Sequence, residues 1–164
     1  MRSEIESVLV SEEQLKKRIA ELGEEISRDY KEQRLLMVGV LKGSVVFMAD
    51  LMRQIDLDVS IDFMAVSSYG SGTKTSGQVQ ILKDLNRSIE GENILIIEDI
   101  LDSGVTLSYL TSLLRSRRPA SIRLCTLLDK PERRKVEIKP DYVGFTIPDA
   151  FVVGYGLDLS LIHI

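Results

Sequence analysis

The chain has 164 residues, enough for one domain with a substantial hydrophobic core. Hydrophobic residues make up 44% and charged residues 28%, an ordinary globular balance, and the net charge of −4 argues against a nucleic-acid partner. The single cysteine excludes an intramolecular disulfide, and the single histidine, His163, leaves little room for histidine-based catalysis or a His-rich zinc site. Acid–base chemistry then falls to carboxylates, lysine or tyrosine. Met1 to Glu6 carries no apolar secretory core, and no apolar run approaches bilayer length. The expectation is a soluble cytoplasmic protein with no membrane partner.

In chain order, Ser11-Glu12-Glu13-Gln14 is a capping box, and Leu15, Ile19, Leu22 and Ile26 follow at helical spacing. Arg34 to Leu41 predicts a buried strand, Gly43 to Met52 a helix, and Val59 to Val66 another strand. Ser67 to Gly77 is polar and glycine-rich, too long for a tight hairpin turn. Gly70-Ser71-Gly72 lacks the third glycine of a dinucleotide fingerprint, and Thr73 stands where a P-loop glycine belongs before Lys74-Thr75. Val79 to Leu82 predicts a strand, Ile94 to Ile97 a central strand and Thr106 to Arg117 a helix. Further strands are expected near Ile122 to Leu128, Tyr142 to Phe145 and Phe151 to Tyr155. Cys125 falls inside the first of these, as a buried structural thiol. Strand and helix patterns alternate, which implies a parallel sheet with right-handed crossovers.

The most informative stretch is Ile94 to Leu107. Four aliphatics run into Glu98-Asp99, two more aliphatics follow, and then Asp102-Ser103-Gly104-Val105-Thr106 leads into an amphipathic helix. Ligands of open α/β sheets bind beyond the carboxyl ends of such strands, so Glu98, Asp99 and Asp102 are expected at the mouth of a site. The turn into the helix offers free N–H groups and a positive dipole end, which suit a phosphate. Carboxylates beside a phosphate cradle make sense once a divalent cation or sugar hydroxyls lie between them. Asp102 also fits a plain helix N-cap.

This stretch resembles the 5-phosphoribosyl-1-pyrophosphate (PRPP) signature of type I phosphoribosyltransferases. Val40-Leu41-Lys42-Gly43-Ser44, Leu127-Leu128-Asp129-Lys130-Pro131 and Ile147 to Gly156 extend the resemblance toward the bacterial hypoxanthine-guanine type, in the same order along the chain. The resemblance implies an α/β fold of that family, a central parallel sheet flanked by helices with a small hood formed by the two chain ends. It implies transfer of the 5-phosphoribosyl group to hypoxanthine or guanine. A xanthine-preferring enzyme and an RNA-binding regulator built on the same fold are the alternatives.

Residue by residue, the resemblance makes Asp102 the proton acceptor. It gives the 5′-phosphate to Ser103, Gly104, Val105 and Thr106, and the pyrophosphate to Lys42 and Gly43 through a loop that often has a cis peptide before the lysine. Glu98 and Asp99 would face the ribose hydroxyls and, with Asp158, help to hold Mg²⁺. Ser68 and Tyr69 would form the base of a water-excluding lid. Lys130 would donate to the purine 6-oxygen, Phe151 would stack on the ring, and Val152 would meet the base edge. The implied partners are PRPP and an oxopurine, with no nucleic acid, and a homodimer or homotetramer is expected. The basic clusters Arg115, Arg117, Arg118 and Arg133, Arg134, Lys135 receive no role.

The resemblance stops after Gly156-Leu157-Asp158. Relatives typically continue there with tyrosine, polar residues, a pyrophosphate-binding arginine and a last strand, whereas this chain reads Leu159-Ser160-Leu161-Ile162-His163-Ile164. The expected organisation is a single domain over residues 1–164, with 159–164 a foreign or truncated tail.

Overall fold

The computed structural model describes residues 9–68, 79–149, 152 and 154–157. Ser11 starts the first helix as its sequence predicts. Its hydroxyl accepts from the Gln14 N–H at 3.2 Å, and the Gln14 side chain accepts from the Ser11 N–H at 2.8 Å. Helix α1 (Glu12–Asp29) turns Ile19, Leu22 and Ile26 into the core. Strand β1 (Leu35–Val40) is buried along its whole length, as a central parallel strand must be. Helix α2 (Val45–Met52) follows, then strands β2 (Val59–Ser68), β3 (Val79–Lys83) and β4 (Asn93–Leu101). Helix α3 (Val105–Arg115), strand β5 (Ser121–Asp129), a 3₁₀ turn over Pro131–Arg133 and strand β6 (Tyr142–Thr146) complete the described elements.

The six strands form one sheet in the order β3-β2-β1-β4-β5-β6. Side chains alternate between its faces. Met37, Leu95 and Ile97 join α1 and α2 in one core cluster, with Phe47, Met48 and Leu51 fully buried among them. Leu36, Val38, Ile94 and Ile96 join Leu107, Leu110 and Leu114 of α3 in the other. Burying each such leucine is worth about 1.5–3 kcal/mol, so the two layers hold their helices chiefly through these side chains. Cys125 is a fully buried free thiol, as expected, and burial raises its pKa.

The order of the strands creates the functional geometry. From β1 the chain crosses through α2 to β2 on one side, and from β4 it crosses through α3 to β5 on the other. The β1/β4 junction is therefore the topological switch point, where loops leave in opposite directions and open a crevice. Pairing of β4 with β1 ends at Gly39↔Ile97, while β4 keeps pairing with β5 as far as Leu101↔Asp129. Glu98 to Leu101 thus run past the end of β1 and face the crevice on that side.

Four expectations change. The sheet is not wholly parallel, because β3 pairs antiparallel with β2. The connection from Ser68 to Val79 is too short for the crossover a parallel return requires, and β3 exposes one face as antiparallel strands tolerate. Strand β4 does not stop at Ile97. Backbone ladder bonds are indifferent to the charges of Glu98 and Asp99, so the strand continues through them. Helix α2 begins at Val45 rather than Gly43, after a turn at Lys42. Val152, Gly154 and Tyr155 lie in no strand. Gly154, Tyr155 and Gly156 have positive φ (101°, 51° and 80°), which is incompatible with extended pairing, and the Leu157 N–H closes a turn on the Gly154 carbonyl at 3.0 Å. The tail 159–164 and most of the expected hood lie outside the described residues.

Candidate active site

The crevice at the switch point is a cleft of about 240 Å³. Its walls include Lys42 and Gly43 from the turn after β1, Glu98 and Asp99 from β4, and Asp102, Ser103, Gly104 and Thr106 from the turn into α3. Nearly all the residues expected to bind phosphates, ribose and metal therefore meet in one place, although they come from two distant segments of the chain.

The turn after β1 is built tightly. The Leu41–Lys42 peptide is cis. The Ser44 hydroxyl, fully buried, donates to the Val40 carbonyl at 2.7 Å. A Cβ on Gly43 would overlap the Asp99 carboxylate, so only glycine lets this loop lie against that side chain. Lys42 is exposed at the rim, where its ammonium can reach an anion.

On β4 the Asp99 N–H donates to Glu98 Oε1 at 3.0 Å, and the Ile100 N–H donates to Asp99 Oδ1 at 2.8 Å. Both carboxylates are thus held by their own backbone. Burial, and then the neighbouring Asp99 and Asp102 carboxylates, push the Glu98 carboxyl well above the usual range. Such a site favours a cation that would relieve the repulsion.

Gly104, not Asp102, is the N-cap of α3. It adopts the left-handed conformation (φ 80°) and, as a glycine, offers no side-chain cap. The Val105 N–H turns back to the Ser103 hydroxyl at 3.4 Å, and Val105 is not on the cleft wall. Asp102 is exposed and free of a capping duty.

The expected purine-binding residues are less completely gathered. Lys130 is buried, not solvated, and its N–H donates to the Leu101 carbonyl at 2.9 Å, next to Asp102, but it does not line the cleft. Val152 is half-buried and packs against the α1/α2 core cluster. Phe151, Tyr69 and Asp158 lie outside the described residues. Ser68 ends β2 opposite Val79, and Val66 of the same strand reaches the cleft. Among the described residues no group of three potential metal ligands occurs. Val66 lines the cleft without having been singled out in the sequence, and Arg134, which donates to the Asp102 carbonyl, left a signal only in the basic cluster to which no role was given.

The fold and the cleft together define a class: an α/β domain whose switch-point loops pair an acidic strand end with a glycine-capped turn at a helix N-terminus. Comparison with known proteins resolves that class further. Residues 8–160 match the family described as phosphoribosyl transferase domain. The chain is 58% identical over 160 residues to the hypoxanthine-guanine phosphoribosyltransferase of Bacillus subtilis (strain 168), covering 98% of this chain and 89% of that protein. It is 55% identical to the bifunctional protein TilS/HprT of Listeria monocytogenes, spanning 98% of this chain but only 25% of that longer protein. The crystal structure of a hypoxanthine phosphoribosyltransferase from Staphylococcus aureus superposes with a TM-score of 0.93 at 53% identity, covering 96% of this chain and 86% of that one. The chain belongs to the phosphoribosyltransferase family.

Proposed function

We propose that this chain transfers the 5-phosphoribosyl group of PRPP to hypoxanthine or guanine, giving IMP or GMP and pyrophosphate. The observation that carries the proposal is the convergence of the Lys42-Gly43 turn, the Glu98-Asp99 pair and the Asp102-to-Thr106 turn on one cleft at the switch point. Anion-binding loops on two sides and carboxylates between them suit a substrate that carries phosphate at one end, pyrophosphate at the other and hydroxyls in the middle.

In the reaction a purine ring nitrogen forms a bond to C1 of the ribose while the C1–O bond to pyrophosphate breaks. The nitrogen's proton passes to Asp102, which is exposed at the cleft and needed by no cap. Ser103, Gly104 and Thr106 form the cradle for the 5′-phosphate, Val105 adds its N–H once that group leaves the Ser103 hydroxyl, and Lys42 and Gly43 receive the departing pyrophosphate. Lys130 donates to the purine 6-oxygen and so selects oxopurines over adenine. Phe151 stacks on the base, Val152 meets its edge, and Ser68 and Tyr69 anchor a lid that excludes water from PRPP.

The donor set suits Mg²⁺, a hard cation that commonly takes one or two carboxylates and completes its shell with water and substrate oxygens. Glu98 and Asp99 offer the carboxylates, with Asp158 as a further donor. When bound, the ion neutralises charge on PRPP that would otherwise be repelled by this acidic wall.

The proposal extends to one domain over residues 1–164, acting in the cytoplasm as a homodimer or homotetramer, which light scattering measures. Among the described residues no helix is long and apolar enough to cross a membrane. The decisive assay supplies purified protein, PRPP, Mg²⁺ and each of hypoxanthine, guanine, xanthine and adenine, and follows nucleotide formation. Hypoxanthine and guanine are expected to react, EDTA to stop turnover, and added Mg²⁺ to restore it. Turnover undiminished in chelator overturns the metal assignment, and a preference for xanthine or adenine overturns the assignment of the base.

A further inference from the structure

Beyond β5 the chain folds back over the Asp102-to-Gly104 turn and is stitched to it. The Lys135 N–H donates to the Ser103 carbonyl at 2.9 Å. A Cβ on Gly104 would come within 2.5 Å of Ile138 Cγ2 and 3.3 Å of Arg134 Cδ, so the strap lies directly on the turn. Arg134 is its centre. Its Nη1 donates to the Asp102 carbonyl at 2.9 Å and to the Leu101 carbonyl at 3.4 Å. Its Nε donates to the Ile138 carbonyl at 3.1 Å, and its Nη2 pairs with Asp129 Oδ1 at 2.7 Å. The side chains of the Arg134–Asp129 pair are only 17% and 11% exposed, so water competes little for that ion pair, while the bond to the Asp102 carbonyl lies at the exposed side of the turn.

From this geometry we infer that Arg134 is a positioning residue for the transfer reaction. It fixes the Asp102 peptide against the end of β5 and thereby aims the Asp102 carboxylate. The inference rests on the role proposed above for Asp102. The Asp102 side chain is exposed, so the part of the residue that the strap holds is its backbone, from which the carboxylate projects. The Leu101 carbonyl accepts from both Arg134 and the Lys130 N–H, so one anchor also ties the proton acceptor's turn to the lysine that reads the base. Only a planar guanidinium, with its fixed fork of donors, can serve a carboxylate and three carbonyls from one position. A lysine ammonium keeps the charge but loses the fork.

The test is a double-mutant cycle on the full chain, with hypoxanthine, PRPP and Mg²⁺. Arg134→Lys is expected to lower kcat by about 10-fold or more, because misplacing an acceptor by a fraction of an ångström is costly. The KM for PRPP should change less than about threefold, since the Lys135 N–H still holds Ser103. In an Asp102→Asn background the same substitution should cost less than about threefold, because the group it aims is already disabled. Asp129→Asn, which leaves an oxygen to accept from Arg134, should show a smaller kcat loss with the same non-additivity, and it serves if Arg134→Lys does not fold. Circular dichroism melting checks each variant.

Losses that multiply in the double variant overturn the inference, since lower folded yield or general loosening acts independently of Asp102. Unchanged kcat in both Arg134→Lys and Asp129→Asn overturns it as well. If Asp102→Asn alone leaves kcat intact, the role of Asp102 fails and the inference with it. That outcome is read from the single variant, so the two failures are separable.

Discussion

Asp102 and Lys130 sit within a few bonds of one another through the Leu101 carbonyl, yet their surroundings differ and so do the expected consequences of changing them. Asp102 is exposed, and Gly104 rather than Asp102 caps α3. Asp102→Asn should therefore leave the melting temperature nearly unchanged while lowering kcat by about 10²-fold, the usual scale for losing a general base. PRPP titration should show little change in affinity, and an equal loss there would make Asp102 a substrate-holding residue instead. Lys130 is buried, so its truncation carries a packing cost as well as a lost donor. Lys130→Ala should weaken use of hypoxanthine and guanine by about 1.5–3 kcal/mol in kcat/KM. PRPP binding should stay close to normal. Unaltered purine kinetics in a folded variant would leave Lys130 a structural residue.

At the scale of elements, the β2–β3 ribbon hangs on one buried carboxylate. Asp62 accepts from the Phe63 N–H at 2.8 Å and the Asn86 N–H at 2.9 Å, and pairs with Lys83 at 3.5 Å. Burial alone would raise its carboxyl. The two N–H groups and the Lys83 ammonium outweigh burial and hold it below its ordinary value of 3.8. A lowered folded-state pKa contributes stability that is present above 3.8 and lost as pH falls through the folded value. Wild-type urea midpoints should therefore drop between pH 5 and about pH 3. Asp62→Asn should be weaker at pH 7 by about 1.5–3 kcal/mol, with a shallower acid loss. Equal acid slopes in the two proteins would place the acid sensitivity elsewhere. Helix α3 depends on packing in a different way. Leu110 is fully buried between the helix and the sheet. Leu110→Ala should cost about 2–5 kcal/mol in chemical denaturation and should loosen the Asp102-to-Thr106 turn that leads into α3.

The whole molecule is organised around a cleft that concentrates negative charge. Glu98, Asp99 and Asp102 share one wall, and burial already opposes ionisation of Glu98. A ligand that binds only the folded state stabilises it by mass action, by about 2.7 kcal/mol at a hundred times its Kd. PRPP with Mg²⁺ at that level should raise the melting temperature by about 5–10 °C for a chain of this size. PRPP with EDTA should give much less, because the carboxylate wall then repels it. Equal stabilisation with and without the metal would mean that the wall does not meet PRPP.

Much of the fold was legible in the chain because short-range physics writes it there. The capping box of α1, the apolar runs of β1 and β4, and the α3 leucines depend on neighbours a few residues apart, and the structure has them where the patterns lie. The turn into α3 and the carboxylates before it were legible too, since they are contiguous, and the structure brings them to one cleft. Other features depend on residues brought together from far along the chain. The true end of β4 depends on β5 as its partner, the antiparallel setting of β3 on the length of its connection, and the glycine at 43 on an Asp99 carboxylate 56 positions later. Arg134 stood in the sequence in a basic cluster that received no role. Only the tertiary structure sets its guanidinium against Asp129 and the Asp102 carbonyl, because those acceptors converge when β4 and β5 pair in register.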